Sequence, residues 1–395
     1  MPLFLLQNFG KSMKQEEGKK DQKMQPMKSV DAGSHAFFEA QQKVYPRSIN
    51  GFFMRWRWAL VFFTQFVFYV VPWIQWGDRQ MVLFDIGARR FYLFGMVLYP
   101  QDVIYLAALL IICALALFLF TAVAGRLWCG FSCPQTVYTE IFMWIEQKVE
   151  GDRSARIRLD NSNWTFEKIW KKSFKQFLWI AVSLWTGFTF VGFFVPIRDL
   201  GLEIVQLQGD WQIFWVLFYG FATYGNAGYL REQVCKYMCP YARFQSAMLD
   251  RDSLIVSYDP ARGEQRGPRR KGVDYKSQGL GDCIDCKLCV QVCPVGFDIR
   301  NGFQYECIGC GLCIDACDSI MDNMQYPRGL IRFTTQNGVE QGWAKSKILR
   351  KVLRPRVLIY TVILIGLSIA TVVSMSLGQP LKVDVIRDRA SLARI

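Results

Sequence analysis

Five apolar stretches, residues 58–76, 103–124, 174–197, 211–230 and 357–377, constrain this chain more than any other feature. Each runs for about 20 residues, the length a helix needs to cross the hydrocarbon of a bilayer. No water is available there to satisfy peptide N–H and C=O groups, so such a stretch must bond to itself as a helix. Trp56, Trp58, Trp73, Trp76, Trp211 and Trp215 stand near the ends of these stretches, where indole rings favour the membrane interface. The expected fold class is an α-helical membrane protein with five transmembrane helices. A composition 52% hydrophobic and 15% aromatic agrees with it.

The charges lie between the stretches. Lys and Arg number 47 against 33 Asp and Glu, a net charge of +14. On a soluble chain that surplus would suggest nucleic-acid binding, but its distribution argues otherwise. The N-terminal segment and the connections after the second and fourth stretches hold 38 of the basic residues, and the alternating segments hold 8. This is the positive-inside pattern, so no nucleic-acid partner is expected. The expected place is the cell inner membrane, with the N-terminus and both large connections cytoplasmic and the C-terminus periplasmic.

The domain plan follows. Residues 1–51 form a polar cytoplasmic tail without the pattern of a signal peptide. Residues 52–250 hold four helices, 251–355 a cytoplasmic insert, 356–378 the fifth helix and 379–395 a short periplasmic tail. Within the insert, 258–281 is basic and Gly-rich and should be loop.

Thirteen cysteines in a small secreted chain would mean disulfides; here eight stand in two runs that ligate iron. The first run is Cys283-x2-Cys286-x2-Cys289-x3-Cys293-Pro294. The second is Cys307-x2-Cys310-x2-Cys313-x3-Cys317, closed by Asp318 where Pro is usual. The spacing is that of a two-cluster ferredoxin, in which the fourth Cys of each run ligates the other cluster. One [4Fe–4S] cluster is then held by Cys283, Cys286, Cys289 and Cys317, and the other by Cys307, Cys310, Cys313 and Cys293. Zinc would call for paired knuckles across a longer gap. The insert is expected to be an α+β ferredoxin-like domain.

Two further pairs follow the second and fourth stretches: Cys129-x3-Cys133-Pro134 and Cys235-x3-Cys239-Pro240, with Arg126 and Arg231 just before them. If the chain is helical there, each pair shares one face. Alternatively each Pro opens a new helix, making Cys133 and Cys239 N-caps whose thiols the helix terminus and arginine would acidify. Four soft thiolates suit Cu(I), zinc or an iron–sulfur centre. The single histidine, His35, excludes a bis-His haem or a His-built copper oxidase centre. Cys113, alone in mid-span, reads as a small packing residue. No Gly-rich phosphate loop follows a strand, so no nucleotide site is expected.

Residues 128–140 (WCGFSCPQTVYTE), 231–248 (REQVCKYMCPYARFQSAM) and 255–266 (IVSYDPARGEQR), together with 43–47 and the double ferredoxin run, resemble the FixG/RdxA/CcoG family from about Lys43 onward. The resemblance implies an accessory factor for assembly of cbb(3)-type cytochrome c oxidase that acts as a cupric reductase. Cys129, Cys133, Cys235 and Cys239 would handle copper, and the eight insert cysteines would carry the electrons. Implied partners are the lipid bilayer, copper ions, copper-handling and oxidase-assembly proteins and an unnamed electron donor, with a homodimer possible on base rates. Family members continue past the last span into an immunoglobulin-like β domain, which in this sequence would be truncated or missing after Ile395. Two other functions compete. One is a quinol-oxidising conduit like NapH and NosR, with Tyr219, Thr223, Tyr224 and Asn226 at a quinone or else in helix packing. The other is a non-catalytic copper-binding scaffold.

Overall fold

The structure, a computed structural model, describes residues 43–377 apart from 273 and 344. His35, the 379–395 tail and most of the 1–51 tail lie outside the described residues. Helices form over all five apolar stretches, and three are long and apolar enough to cross a membrane: Val103–Ala124, Phe166–Val191 and Pro355–Leu377.

Helix α1 is Phe52–Val70, six residues earlier at both ends than the 58–76 stretch. It starts early because the Asp315 carboxylate, from the insert, accepts hydrogen bonds from the N–H groups of Phe53 (3.2 Å) and Met54 (2.9 Å). An acceptor from elsewhere in the chain thus satisfies donors that a helix N-terminus leaves open. Pro72 lies in the 3₁₀ turn Val71–Trp73 that ends the helix. Beyond it β1 (Gln75–Trp76) pairs with β2 (Arg79–Gln80), and β3 (Val82–Asp85), β4 (Arg90–Leu93) and β5 (Met96–Leu98) make an antiparallel meander. Gln80 ties this end to the third stretch, donating to Gly192 O at 2.7 Å and accepting from Ile197 N at 3.1 Å.

Helix α2 (Val103–Ala124) matches its stretch, and none of its most apolar 18-residue window is buried, as befits a lipid-facing rod. Cys113 is exposed on it, not packed inside as the sequence suggested: on this helix an apolar side chain meets lipid, not protein. Then come α3 (Leu127–Phe131), α4 (Pro134–Glu150), α5 (Arg153–Asn161) and α6 (Phe166–Val191). Helix α6 begins eight residues before 174 because its basic first turns find buried partners: Lys175 meets Glu150 at 2.8 Å and Lys172 meets it at 2.9 Å. It stops at Val191 instead of 197. Gly192 and Pro196 follow, and Ile197 opens α7 (Ile197–Val205).

The fourth stretch is α8 (Asp210–Thr223), continued by the wider π turns of Tyr224–Leu230. Backbones touch where α6 meets α8. A Cβ on Gly187 would sit 2.4 Å from Val216 O and 2.8 Å from Gly220 N. Small residues at a crossing let membrane helices approach this closely. A π turn at Val234–Met238 and α9 (Pro240–Met248) lead into the insert.

The insert is closed by an antiparallel pair, β6 (Ile255–Tyr258) with β7 (Ile331–Thr334). Between them lie α10 (Leu288–Gln291) and α11 (Leu312–Met324). Val256, Tyr258, Ile299, Ile314, Met321, Leu330 and Ile331 form the buried core. The 258–281 segment opens with the last residue of β6 and a helical turn, Pro260–Gly263. The last helix, α12 (Pro355–Leu377), packs along α2, with the Tyr105 hydroxyl 3.3 Å from Ser374.

Candidate functional site

The two ferredoxin runs fold alike. On either side of each middle cysteine the backbone turns left-handed: Asp285 (φ 53°) and Lys287 (φ 56°) flank Cys286, and Gly309 (φ 67°) and Gly311 (φ 73°) flank Cys310. That alternation makes a tight loop with its sulfurs facing inward. Cys283, Cys286, Cys289 and Cys317 line one cavity. Cys293, Cys307, Cys310 and Cys313 line the neighbouring one, which Cys289 also borders.

The surroundings of these sulfurs suit cubane clusters. Four cysteines line the first cavity and five the second, and peptide N–H groups point at the sulfurs: Val295, Gly296 and Phe297 toward Cys293, Gly309 toward Cys307, and Leu312 toward Cys310. Such donors stabilise negative charge on sulfur. Without iron, burial pushes the thiols up, Cys289, Cys307 and Cys317 to about 12 and Cys310 to about 11. They need a positive centre before they ionise.

The other four cysteines sit where the membrane helices meet the insert. Both readings of the Cys-x3-Cys-Pro spacing hold in part. Cys129 lies in the short helix α3 and Cys235 in a π turn, while Cys133 and Cys239 are the N-cap residues of α4 and α9 with Pro134 and Pro240 in first position. Cys129 Sγ donates to Gln245 Oε1 at 3.4 Å, and Gln245 is fully buried. The expected acidification does not prevail. Burial pushes Cys129 to about 11 and Cys235 to about 12 and also raises Cys133; the helix-terminal N–H groups of Gln135 and Thr136, and Arg126, pull the other way more weakly. Arg126 is spent on Ala242 O (2.5 Å) and Arg231 on Glu146 (2.9 Å).

The four thiols lie within electrostatic reach of one another. Among the described residues, here and at the ferredoxin cavities alike, no three Cys, His, Asp or Glu side chains stand close enough together to hold a metal ion as they are placed.

The loop carrying Cys129 and Cys133 abuts the second ferredoxin run. Gly130, between Cys129 and Cys133, has no side chain because there is no room for one: a Cβ would stand 2.8 Å from Cys310 Cα and 2.8 Å from Ile308 O. Cys129 packs against the cluster of Ile308, Cys310 and Leu312.

Sequence reasoning passed over the acidic face of α4. Glu146, fully buried, holds Arg231 at 2.9 Å, Arg156 at 3.5 Å and Lys175 at 3.9 Å, and Glu140 holds the buried Arg57 at 2.9 Å. The signal was there: Glu146 and Glu150 stand four apart in a helix opened by Cys133-Pro134. Three of the fourth-stretch residues weighed for a quinone have side-chain contacts within the helices, and Asn226 is engaged through its backbone. Tyr224 donates to Gln176 Oε1 (2.8 Å), Tyr219 lies 4.3 Å from the Phe190 ring, the Thr223 hydroxyl donates to Tyr219 O (2.9 Å), and Asn226 O accepts from Gln135 (2.9 Å).

A family model described as a 4Fe-4S dicluster domain matches residues 230–336, and one described as a 4Fe-4S binding domain matches residues 106–150. The latter contains Cys129 and Cys133. No solved structure matches the chain. Protein RdxB of Cereibacter sphaeroides is 39% identical over 369 residues, covering 91% of this chain and 77% of RdxB. Protein RdxA of the same organism is 40% identical over 355 residues, covering 87% of this chain and 74% of RdxA. The nitrogen fixation protein FixG of Rhizobium meliloti is 39% identical over 305 residues, 75% of this chain and 58% of FixG. Two relatives of this similarity, matched over most of their own length, together with the 4Fe-4S models, place the chain in the FixG/RdxA family of membrane iron–sulfur electron-transfer proteins.

Proposed function

We propose that this protein moves single electrons through its insert to copper at Cys129, Cys133, Cys235 and Cys239, reducing Cu(II) to Cu(I) for assembly of a cbb(3)-type oxidase. The observation that carries the reading is the absence of any gap at Gly130: the loop bearing Cys129 and Cys133 rests on the backbone of Cys310. An electron arriving at the second cavity has only packed protein between it and the four thiols.

In this reading Cys283, Cys286, Cys289 and Cys317 hold one [4Fe–4S] centre and Cys293, Cys307, Cys310 and Cys313 the other. When bound, the centres supply one-electron storage and transfer. The chain's residues do the rest. Buried walls exclude water, and peptide N–H groups hold the sulfur charge. Gln245 fixes the Cys129 thiol, and soft thiolates favour the monovalent over the divalent ion. Copper is the substrate: Cu(II) binds with release of thiol protons to water, takes one electron and leaves as Cu(I), the thiolates regaining protons from water. Five spans, with the N-terminus and insert cytoplasmic by the positive-inside rule, put this chemistry at the inner face of the membrane.

The test is anaerobic purification followed by a Cu(II)-reduction assay. Serine at Cys129, Cys133, Cys235 and Cys239 should leave iron and acid-labile sulfide unchanged while Cu(II) reduction falls. Full reduction by that variant would defeat the site assignment.

A further inference from the structure

A polar cavity of about 320 Å³ lies where the chain approaching α1, helix α4 and the insert meet. Gln147 and Lys148 enter it from α4, one turn beyond Met143 and Trp144, so helical spacing sets all four on one face. Arg47, Ser48 and Asn50 line the opposite side. Two of its cations are committed elsewhere or balanced: Arg156 donates to Pro46 O at 2.5 Å and pairs with Glu146 at 3.5 Å, and the Glu140 carboxylate on the wall is held by Arg57 at 2.9 Å. Arg47 and Lys148 are different. Both are exposed, and neither forms an ion pair among the described residues. Gln147 Nε2 donates to Ser48 Oγ at 2.9 Å, which leaves the Ser48 O–H to donate. The cavity therefore offers an anion two positive charges and several hydrogen-bond donors.

An apolar strip begins where the polar groups end. The Trp144 and Trp58 ring centroids are 6.1 Å apart, and Trp58 lies 5.5 Å from Phe62. Trp58, Phe62 and Phe66 stand four apart on one face of α1, and Phe62 and Phe66 are 67% and 64% exposed. Indole rings beside basic groups mark the level of lipid headgroups. A polar basin opening onto an exposed apolar rail has the two-part form of an amphiphile.

We infer that this cavity seats the headgroup of an anionic phospholipid, with its acyl chains along the Trp58–Phe62–Phe66 face of α1. The inference goes beyond the copper reading and stands without it. Basic pockets beside membrane helices are where acidic headgroups bind, and the volume is within the range of small-ligand sites. A zwitterionic lipid fits less well, because its own ammonium would face Arg47 and Lys148. A soluble phosphate ester would leave the apolar strip unused. The inner wall is Val292, Pro294 and Leu312, neighbours of Cys293 and Cys313, and Arg47 N donates to Gln291 O at 2.8 Å. A lipid held here braces the second ferredoxin run against the membrane helices.

The experiment uses the full chain, anaerobically purified in phosphatidylcholine nanodiscs containing a trace of phosphatidylglycerol with a photoreactive headgroup. The α4 peptide carrying residues 143–148 should be labelled. Added phosphatidylglycerol should compete, while added phosphatidylcholine and glycerol phosphate should not. Arg47→Gln and Lys148→Gln should each weaken competition by about fivefold, and the double variant by about 25-fold. Both positions are exposed, so iron and sulfide per chain should stay constant. Arg270→Gln with Lys271→Gln, the same charge change at exposed sites in the 258–281 segment, should leave competition unchanged. Labelling elsewhere, or equal competition by phosphatidylcholine, would overturn the inference. So would full competition by glycerol phosphate, which would make the site one for a soluble phosphate ester. An equal loss in the Arg270/Lys271 variant would reduce the effect to general surface charge and overturn it too. None of these results touches the copper reading, which is tested by Cu(II) reduction alone.

Discussion

Asp285 and Lys287 occupy the same left-handed positions in the first cysteine run that Gly309 and Gly311 occupy in the second. A side chain in that conformation costs about 1–2 kcal/mol, which the first run tolerates because its residues have open space. The second has none: a Cβ on Gly311 would meet Phe53 Cγ at 2.7 Å. Gly311→Ala should therefore lose iron from the second site, measured as iron and sulfide per chain. Lys287→Gly should keep full iron and shift thermal stability by no more than about 1 kcal/mol, strain relief being offset by the added freedom of the unfolded chain. Burial holds Cys129 at about 11 and Cys235 at about 12, so both are neutral near neutral pH. A thiol raised on folding favours the fold below its unfolded pKa, and that contribution fades as pH climbs through the folded value. Copper capture must then expel protons. Apparent Cu(I) affinity should rise from about pH 7 to about pH 9, close to tenfold per unit for each proton displaced. A chelator-competition titration measures it, and a flat profile would contradict the assignment. Removing the Gln245 amide from Cys129 by Gln245→Ala should cost about 10- to 100-fold in copper affinity or turnover, the usual effect of losing a ligand's orienting partner.

At the scale of elements, apolar length was a good guide only where a helix faces lipid along its whole course. α2 begins and ends where its stretch does, and α12 starts two residues before its own. The bounds of α1 and α6 escaped because their charged ends look like interface from sequence, yet several of these groups have partners far along the chain. Arg57 finds Glu140, Lys175 finds Glu150, and the α1 N-terminus finds Asp315. The β3–β5 meander carried a readable signal, short apolar runs broken at Gly87 and Gly95, which the long stretches on either side obscured. The Glu146 network invites a direct test. Glu146→Gln strands Arg231 and Arg156 beside a neutral side chain, while Lys175 keeps Glu150, and losing one partner of a buried pair costs about 3–5 kcal/mol. A marked fall in thermal stability, followed by tryptophan fluorescence, is expected. An unchanged melt would mean those cations find water or other partners.

For the whole molecule, the eight ferredoxin cysteines were the most legible part, since their spacing dictates a loop that wraps sulfur around a cubane. What the sequence could not disclose is distance. Nothing in the spacing of Cys129 and Cys133 says that Gly130 lies against Cys310. In the proposed function this contact joins separate motifs into one line of transfer, from the paired iron–sulfur sites to the four thiols. Coupling along it should depend on the close packing. Gly130→Val has to displace the Cys310 backbone and should slow transfer to copper more than it lowers iron content.

The most direct measurement is a single-turnover one. Protein with its clusters chemically reduced is mixed anaerobically with one equivalent of Cu(II), and cluster absorbance and Cu(I) are followed together. The account predicts that the clusters reoxidise as Cu(I) appears, and that serine at Cys129, Cys133, Cys235 and Cys239 leaves them reduced. Clusters that stay reduced beside Cu(II), or that reoxidise as fast without the four thiols, would contradict it.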